Sequence, residues 1–467
     1  MSALRVAGPW PARLTAFFAL AGLLVGLVAA LQGASDAAYD GAMALMLLPV
    51  LVGIVVLVEP SITLTAGLGL SVFSGHWGPL GVPVALDRVM LFAGVAGIAL
   101  RAIGDARYRP RLRPVHAVLA AAALYAVGSA LVVGTLDDHA AVFALLDRYG
   151  LISFLLFLVA PVAFATERDR SHLLIGLVAV GAYLGVIALL QEVGLRQLVV
   201  PDYINDPNVG IHADRARGPF VEAASNGLAL FACAVASVIA AARWKGWLRQ
   251  LAVGVAILCL AGIIFTVTRQ AWLGAAVGSV FGLAATPRLR AYVVPLIAGG
   301  VLLVLVSFAV IPGLQERAGS RANDQLPVWD RLNSDRAGLA MVAARPMIGF
   351  GWAKFFDSSE PYYKQAATYP LTEVRELHSV FLSNAVELGM IGALIWAAGL
   401  LMAVGGAIRR RGPPELEPWR LGLLAFATCW LVVSNFTPLG YTFSNYLLWI
   451  WAGMVGGAVV PRRGSAL

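Results

Sequence analysis

Twelve apolar runs of roughly 17 to 25 residues, each long enough to cross the hydrocarbon core of a bilayer, follow one another along this chain. They lie near 14–34, 41–59, 84–104, 114–134, 142–165, 172–192, 222–242, 249–268, 291–312, 380–408, 418–436 and 442–460, with two shorter runs near 61–75 and 270–286. Inside lipid every backbone polar group must be satisfied within its own segment, so runs of this kind fold as helices. The chain therefore reads as an all-α polytopic membrane protein with 12 to 14 transmembrane helices, 14 being the expected count. A hydrophobic share of 60%, a charged share of 13% and a mean hydropathy of +0.80 exclude a soluble globular domain.

The formal charge of +8 is informative only through where the basic residues fall. With the amino terminus inside, the turns "RAIGDARYRPRLRP", "TERDRS", "RWKGWLR", "PRLR", "RRRGPPELEPWR" and the tail "PRRGSAL" all face the cytoplasm. Together with Arg5 and Arg13 they hold 20 of the 34 basic residues. This predicts an even number of spans, both termini cytoplasmic and no nucleic-acid partner. The first run is expected to be an uncleaved helix rather than a signal peptide. Cys233, Cys259 and Cys429 sit in apolar runs and read as packing residues.

Two outer loops are long, one near 194–221 and the other near 313–377. The second is too long for a plain connector, and loops of that length tend to carry function. Its stretch "PVWDRLNSDRAGLAMVAARPMIG" predicts an amphipathic helix along the outer membrane surface, with Val328, Leu332, Leu339, Val342 and Ala343 as its apolar residues and an end near Pro346. Trp352, Phe355, Phe356, Tyr362, Tyr363 and Tyr369 follow, and read as an interfacial aromatic belt, with sugar stacking as the alternative. The expected division is 1–193 for the first helices, 194–412 for a catalytic region that includes the loop 313–377, and 413–467 for the last helices.

Four polar clusters fall on the outer side of this map. Arg215 and Arg217 precede a span that Glu222, Ser225 and Asn226 enter; Arg269 stands at the short turn of "TVTRQAWLG"; Arg331, Arg336 and Arg345 lie in the long loop; and "ELHSVFLSNAVELGMIG" carries His378, Ser379, Ser383, Asn384 and Glu387. A planar guanidinium grips phosphate with two parallel hydrogen bonds, and at membrane depth it is costly unless it has a task or a partner. For Arg269 that partner is Glu222 or Glu387, if the role is structural. His378 suits a general base, because an imidazole ordinarily titrates near pH 6.5, or else a helix-capping residue. Asp87, Arg88 and Arg148 read as a buried ion-pair network. HExxH, DxD, paired CxxC and P-loop patterns are absent, so neither a metal nor a cofactor is expected.

Taken in order, "RARGPF…N", "TVTRQAWLG", "DRAGLAMVAARPMIGFGWAKF" and "LHSVFLSNAVELGMIGALIW" resemble the O-antigen ligase and Wzy polymerase superfamily over roughly residues 210–405. The resemblance implies a metal-independent, inverting membrane glycosyltransferase of the GT-C type, working at the periplasmic face of the bacterial inner membrane. Such enzymes take a glycan from an undecaprenyl-diphosphate carrier; ligases deliver it to a sugar hydroxyl of lipid A core, and polymerases to a growing glycan. Mapped by motif, Arg215, Arg217 and Arg269 would bind the diphosphate and His378 would activate the acceptor hydroxyl, with Arg336, Asn226, Ser379 and Glu387 in support. The chain departs from the pattern at Ser379, which follows the histidine, and at Asp335–Arg336, which no tryptophan follows. A protein oligosaccharyltransferase is a smaller alternative. A secondary transporter fits less well, because transporters place charge near the midplane of repeated halves.

Overall fold

A computed structural model describes residues 51–82, 84–311, 313–323, 326–363, 376–410, 412–438, 440 and 442–457. The runs near 14–34 and at the start of 41–59, Arg5, Arg13, Tyr369 and the basic tail lie outside the described residues. Among the described residues the fold is helical, with no strand. The long helices are α1 (Pro60–Leu70), α2 (Leu86–Gly104), α3 (Pro114–Val133), α4 (His139–Ala163), α5 (Glu167–Glu192), α6 (Ala223–Arg243) and α7 (Gly246–Phe265). They continue with α8 (Arg269–Ala284), α9 (Val293–Val310), α10 (Leu314–Asn323), α11 (Leu326–Ala344), α12 (Val380–Arg409), α13 (Glu417–Val433) and α14 (Thr442–Gly457).

Eight helical stretches among the described residues are long and apolar enough to cross a membrane: α3 to α7, α9 with the short turn before it, α12, and α13 with the turn before it. The other expected spans that lie wholly among the described residues fold as helices that do not reach that standard. α2 carries Asp87, Arg88 and Arg101, while α1, α8 and α14 are short, at 11, 16 and 16 residues.

Burial sorts the helices by their side chains. α6 and α14 are apolar or small nearly all round, and a helix of that kind belongs inside a bundle. Small residues allow close approach: a Cβ on Gly181 would stand 2.8 Å from Cys233, and one on Gly227 would stand 2.6 Å from Ala271. α9 is the opposite case, with Val294, Val301, Leu302, Leu305 and Val310 exposed as lipid-facing side chains would be.

α12 breaks at Gly389, whose φ of 65° lies in the left-handed region that favours glycine. The main-chain groups freed there are taken up by the segment after α11. Phe350 N–H donates to Val386 O (3.0 Å), Gly351 N–H to Glu387 O (2.8 Å), Met390 N–H to Pro346 O (2.8 Å) and Ile391 N–H to Met347 O (3.3 Å). Non-helical backbone at membrane depth is tolerated where protein surrounds it in this way. Gly349 permits the approach, since a Cβ there would meet Gly389 N at 2.5 Å.

The helix α11 forms with Asn333, Ser334, Ala337 and Met341 buried against the protein, and it leaves Val328, Leu332 and Leu339 exposed, as a helix lying on a membrane surface would. One expectation needs correction. Trp352 is not interfacial. It is fully buried, its Nε1–H donates to Ala141 O (2.9 Å), and Phe355 is likewise in a core cluster. Hydropathy alone cannot separate an aromatic that meets the headgroups from one that fills a gap between helices.

Candidate functional site

One end of the bundle gathers the start of α6, the start of α8, α11, the start of α12 and the turn after α13. Hydrogen bonds join them. Ala216 N–H donates to Phe265 O (3.2 Å), tying the loop before α6 to the end of α7. Gln270 Nε2 donates to Thr437 Oγ1 (2.9 Å), tying the start of α8 to the turn after α13. That turn in turn holds the start of α12: Val380 N–H donates to Ser434 O (3.0 Å) and Ser379 Oγ to Asn435 Oδ1 (3.4 Å). α11 lies against the same start, where a Cβ on Gly338 would stand 2.9 Å from Leu377 and 3.0 Å from Leu382, the residues flanking His378.

The charge arrangement centres on Arg331. It lies two helical turns before Gly338, so the two share a face of α11. Burial first, and then the positive field of Arg269, hold its guanidinium below the ordinary arginine range, against the pull of Asp335 and Glu222. Its Nε is buried with no hydrogen-bond partner, as is Asp335 Oδ1, and no ion pair joins the two among the described residues. Burial raises the Asp335 carboxyl, and Arg331 opposes the rise. A partly desolvated arginine with an unpaired donor, within the field of a second, exposed arginine, is suited to receive an anion. Arg269 is exposed at the first residue of α8, where the helix dipole adds to its positive charge.

The other expected residues divide. His378 is half-buried and stands immediately before Ser379, the N-cap of α12, whose Oγ accepts Leu382 N–H. Arg217 is fully buried and donates to the carbonyls of Ile204 (3.0 Å), Asp206 (2.5 Å) and Val209 (2.6 Å), so it shapes the loop where the resemblance implied a diphosphate contact. Arg215 is buried beside it, its Nε 3.9 Å from Asp214 Oδ2. Asn226 is fully buried, and its Nδ2 donates to Ala216 O (2.9 Å), which folds the loop onto α6. Glu222 caps α6, accepting from Ala224 and Ser225 N–H, and pairs with neither Arg269 nor Arg331 at contact distance among the described residues. Glu387 pairs with Arg148 rather than with Arg269. Arg336 is exposed, five residues and about 140° around α11 from Arg331, so it leaves the cluster.

Sequence reasoning placed Arg331 in an outer polar cluster but gave the supporting role to Arg336, and it passed over the Ser434–Thr437 turn. A signal for Arg331 existed: Arg331, Asp335, Gly338 and Val342 repeat at helical spacing, and a glycine in mid-helix marks the face that packs closely. Among the described residues, the grouping of His, Asp and Glu compact enough to share an ion is Glu59, Asp169 and His172, at the starts of α1 and α5 and so at the other end of the bundle.

These features define a polytopic helical membrane protein with a cationic, imidazole-bearing site at one end. Residues 253–397, which include Arg269, Arg331 and His378, match the family model described as O-antigen ligase. The chain is also similar to the Exopolysaccharide production protein ExoQ of Rhizobium meliloti (strain 1021), at 25% identity over 178 residues. That similarity covers 36% of this chain and 36% of the relative, so the chain matches about a third of the relative's length. Over this stretch the chain is similar to the O-antigen ligase and Wzy superfamily.

Proposed function

We propose that the protein transfers a glycan from a polyprenyl-diphosphate carrier, undecaprenyl diphosphate in the bacterial inner membrane, to a sugar hydroxyl, with the site facing the periplasm. The observation that carries this reading is the unpaired, buried Nε of Arg331 in the field of Arg269, at the end where His378 stands. Cleaving the bond between sugar and diphosphate builds negative charge on the leaving group. Fixed guanidinium groups in a space of reduced dielectric stabilise that charge, a task that metal ions perform elsewhere. His378 takes the proton of the acceptor hydroxyl as the new glycosidic bond forms, and attack from the face opposite the leaving group inverts the anomeric carbon. Arg217, with Arg215 and Asn226, keeps the loop before α6 closed around the site. The exposure of Arg269 lets a carrier whose tail stays in the bilayer present its head from the side.

The matching family is described as a ligase, which supports that reading, and the acceptor we assign to it is lipid A core. The similarity to a protein named for exopolysaccharide production favours a second reading, a polymerase that extends a glycan on its carrier. Purified protein incubated with lipid-linked oligosaccharide decides between them: product on lipid A core indicates a ligase, a ladder on the carrier a polymerase. Arg269→Ala, Arg331→Ala and His378→Ala are each expected to lower the rate by about 10²-fold or more, while Arg336→Ala stays within about twofold of the parent. Full activity in Arg331→Ala, or solute counterflow without transfer, overturns the proposal.

A further inference from the structure

The turn that interrupts α4 is a π-helical stretch, Ala144–Tyr149, and it sends consecutive side chains in different directions. Asp147 accepts from Arg88 Nη2 (2.5 Å) and from Tyr446 OH (2.5 Å). Arg148 Nη2 donates to both carboxylate oxygens of Glu387, at 3.1 and 3.3 Å, and its guanidinium lies 5.2 Å from the ring centre of Trp352. Tyr149 O accepts from Trp396 Nε1 (3.0 Å). Of the expected network, Arg88 and Arg148 are each ion-paired, to Asp147 and Glu387, whereas Asp87 accepts from Trp77 Nε1 (2.7 Å) and joins no ion pair among the described residues. Two arms thus leave the π-helical stretch. One reaches α2 and α14; the other reaches α12 and the segment after α11.

The second arm meets the chain where position matters. Glu387 lies two residues before the break at Gly389, and Trp352 ends the segment that fills that break. Trp352 is itself fixed, since its N–H donates to Ser129 Oγ (3.1 Å) and its carbonyl accepts from Thr135 Oγ1 (3.2 Å). Arg148 thus touches, through one guanidinium, the helix that begins beside His378 and the strap that continues from the helix bearing Arg331. The Glu387 side chain is 3% exposed and that of Arg148 19%, a placement that gives the pair no access to a reacting hydroxyl but much leverage on its two neighbours.

We propose that Arg148 and Glu387 are positioning residues: their ion pair, seated on Trp352, sets α11 against α12 and so fixes the separation of Arg331 and His378. A general base and an anion receptor act together only at the right spacing, and an error of 1 Å costs on the order of a hundredfold in rate. The inference rests on the glycan-transfer reading for its kinetic arm only.

The test uses the full chain in detergent or nanodiscs. Gly338→Cys with Leu382→Cys places two thiols where α11 meets α12, and oxidative cross-linking of that pair reports the register without any substrate. Adding Glu387→Gln is expected to slow cross-linking. In the protein with its native Gly338 and Leu382, Glu387→Gln is expected to lower kcat about tenfold to a hundredfold, with the donor KM within about threefold and the pH profile of kcat unchanged in shape. The exchange Arg148→Glu with Glu387→Arg should recover part of both losses. Should Glu387→Gln not fold, Arg148→Met with Glu387→Met removes both charges together and is expected to fold yet to cross-link more slowly. Parental cross-linking in whichever of these variants folds, or a shifted pH profile in Glu387→Gln, overturns the proposal. If the parent transfers no glycan, the functional reading fails and the cross-linking arm still decides this one.

Discussion

Arg331 and Arg336 show how narrow the margin is at the scale of single residues. They are the same residue type on the same helix, yet one is half-buried with an unpaired donor and the other is exposed. Motif order singled out Arg336 on this helix whereas the fold half-buries Arg331, because the face that packs is marked by Gly338 rather than by hydrophobicity. His76 illustrates a different residue-level effect. Its ring stacks parallel on Tyr203 at 4.8 Å, in the connection between α1 and α2, and burial first, then Arg217, lower its pKa below the ordinary value. A histidine held neutral in the folded state supports the fold fully above its unfolded value of about 6.5, and that support is lost as the pH falls through the lower folded value. Hydrogen-exchange protection in residues 196–221, corrected for the intrinsic pH dependence of amide exchange, is therefore expected to fall as the pH drops below about 6.5. His76→Phe, which keeps the stacking and cannot be protonated, should flatten the response; an unchanged response would show that another group is responsible.

Among the elements, the broken helix α12 is the most demanding. Gly389→Ala would bring a Cβ to 2.2 Å from Met347 O in a conformation that alanine resists, whereas Gly128 in α3 has nothing within 4 Å. Gly389→Ala is expected to destabilise by about 3 kcal/mol or more, and Gly128→Ala to be neutral or slightly stabilising. Thermal unfolding in detergent measures both, and equal midpoints would contradict the account of the break. Most helices were legible in the sequence because a bilayer imposes a length and an apolar composition on its spans. The use of "RPMIGFGW" was not legible. Its partners are the main-chain groups of residues 386–391, and backbone pairing leaves no mark on side-chain pattern beyond the glycines that permit it. The same limit hid the true setting of Trp352.

At the scale of the whole molecule, the site is assembled from five segments far apart in the chain, and its convergence was legible only as polar clusters predicted on one side of a membrane. The cationic arrangement leads to a molecule-level expectation: glycan transfer should persist in excess EDTA at the parental rate, because guanidinium groups supply the stabilisation that a divalent ion would. Loss on chelation that added Mg²⁺ restores would assign the charge stabilisation elsewhere. The break in α12 also bears on how the chain enters a membrane. Inserted by itself, this span would present unmet amide and carbonyl groups to hydrocarbon at residues 386–391. The filler, residues 346–351, is synthesised before the span whose groups it satisfies, so the order of the two along the chain lets the span find its partners as it inserts.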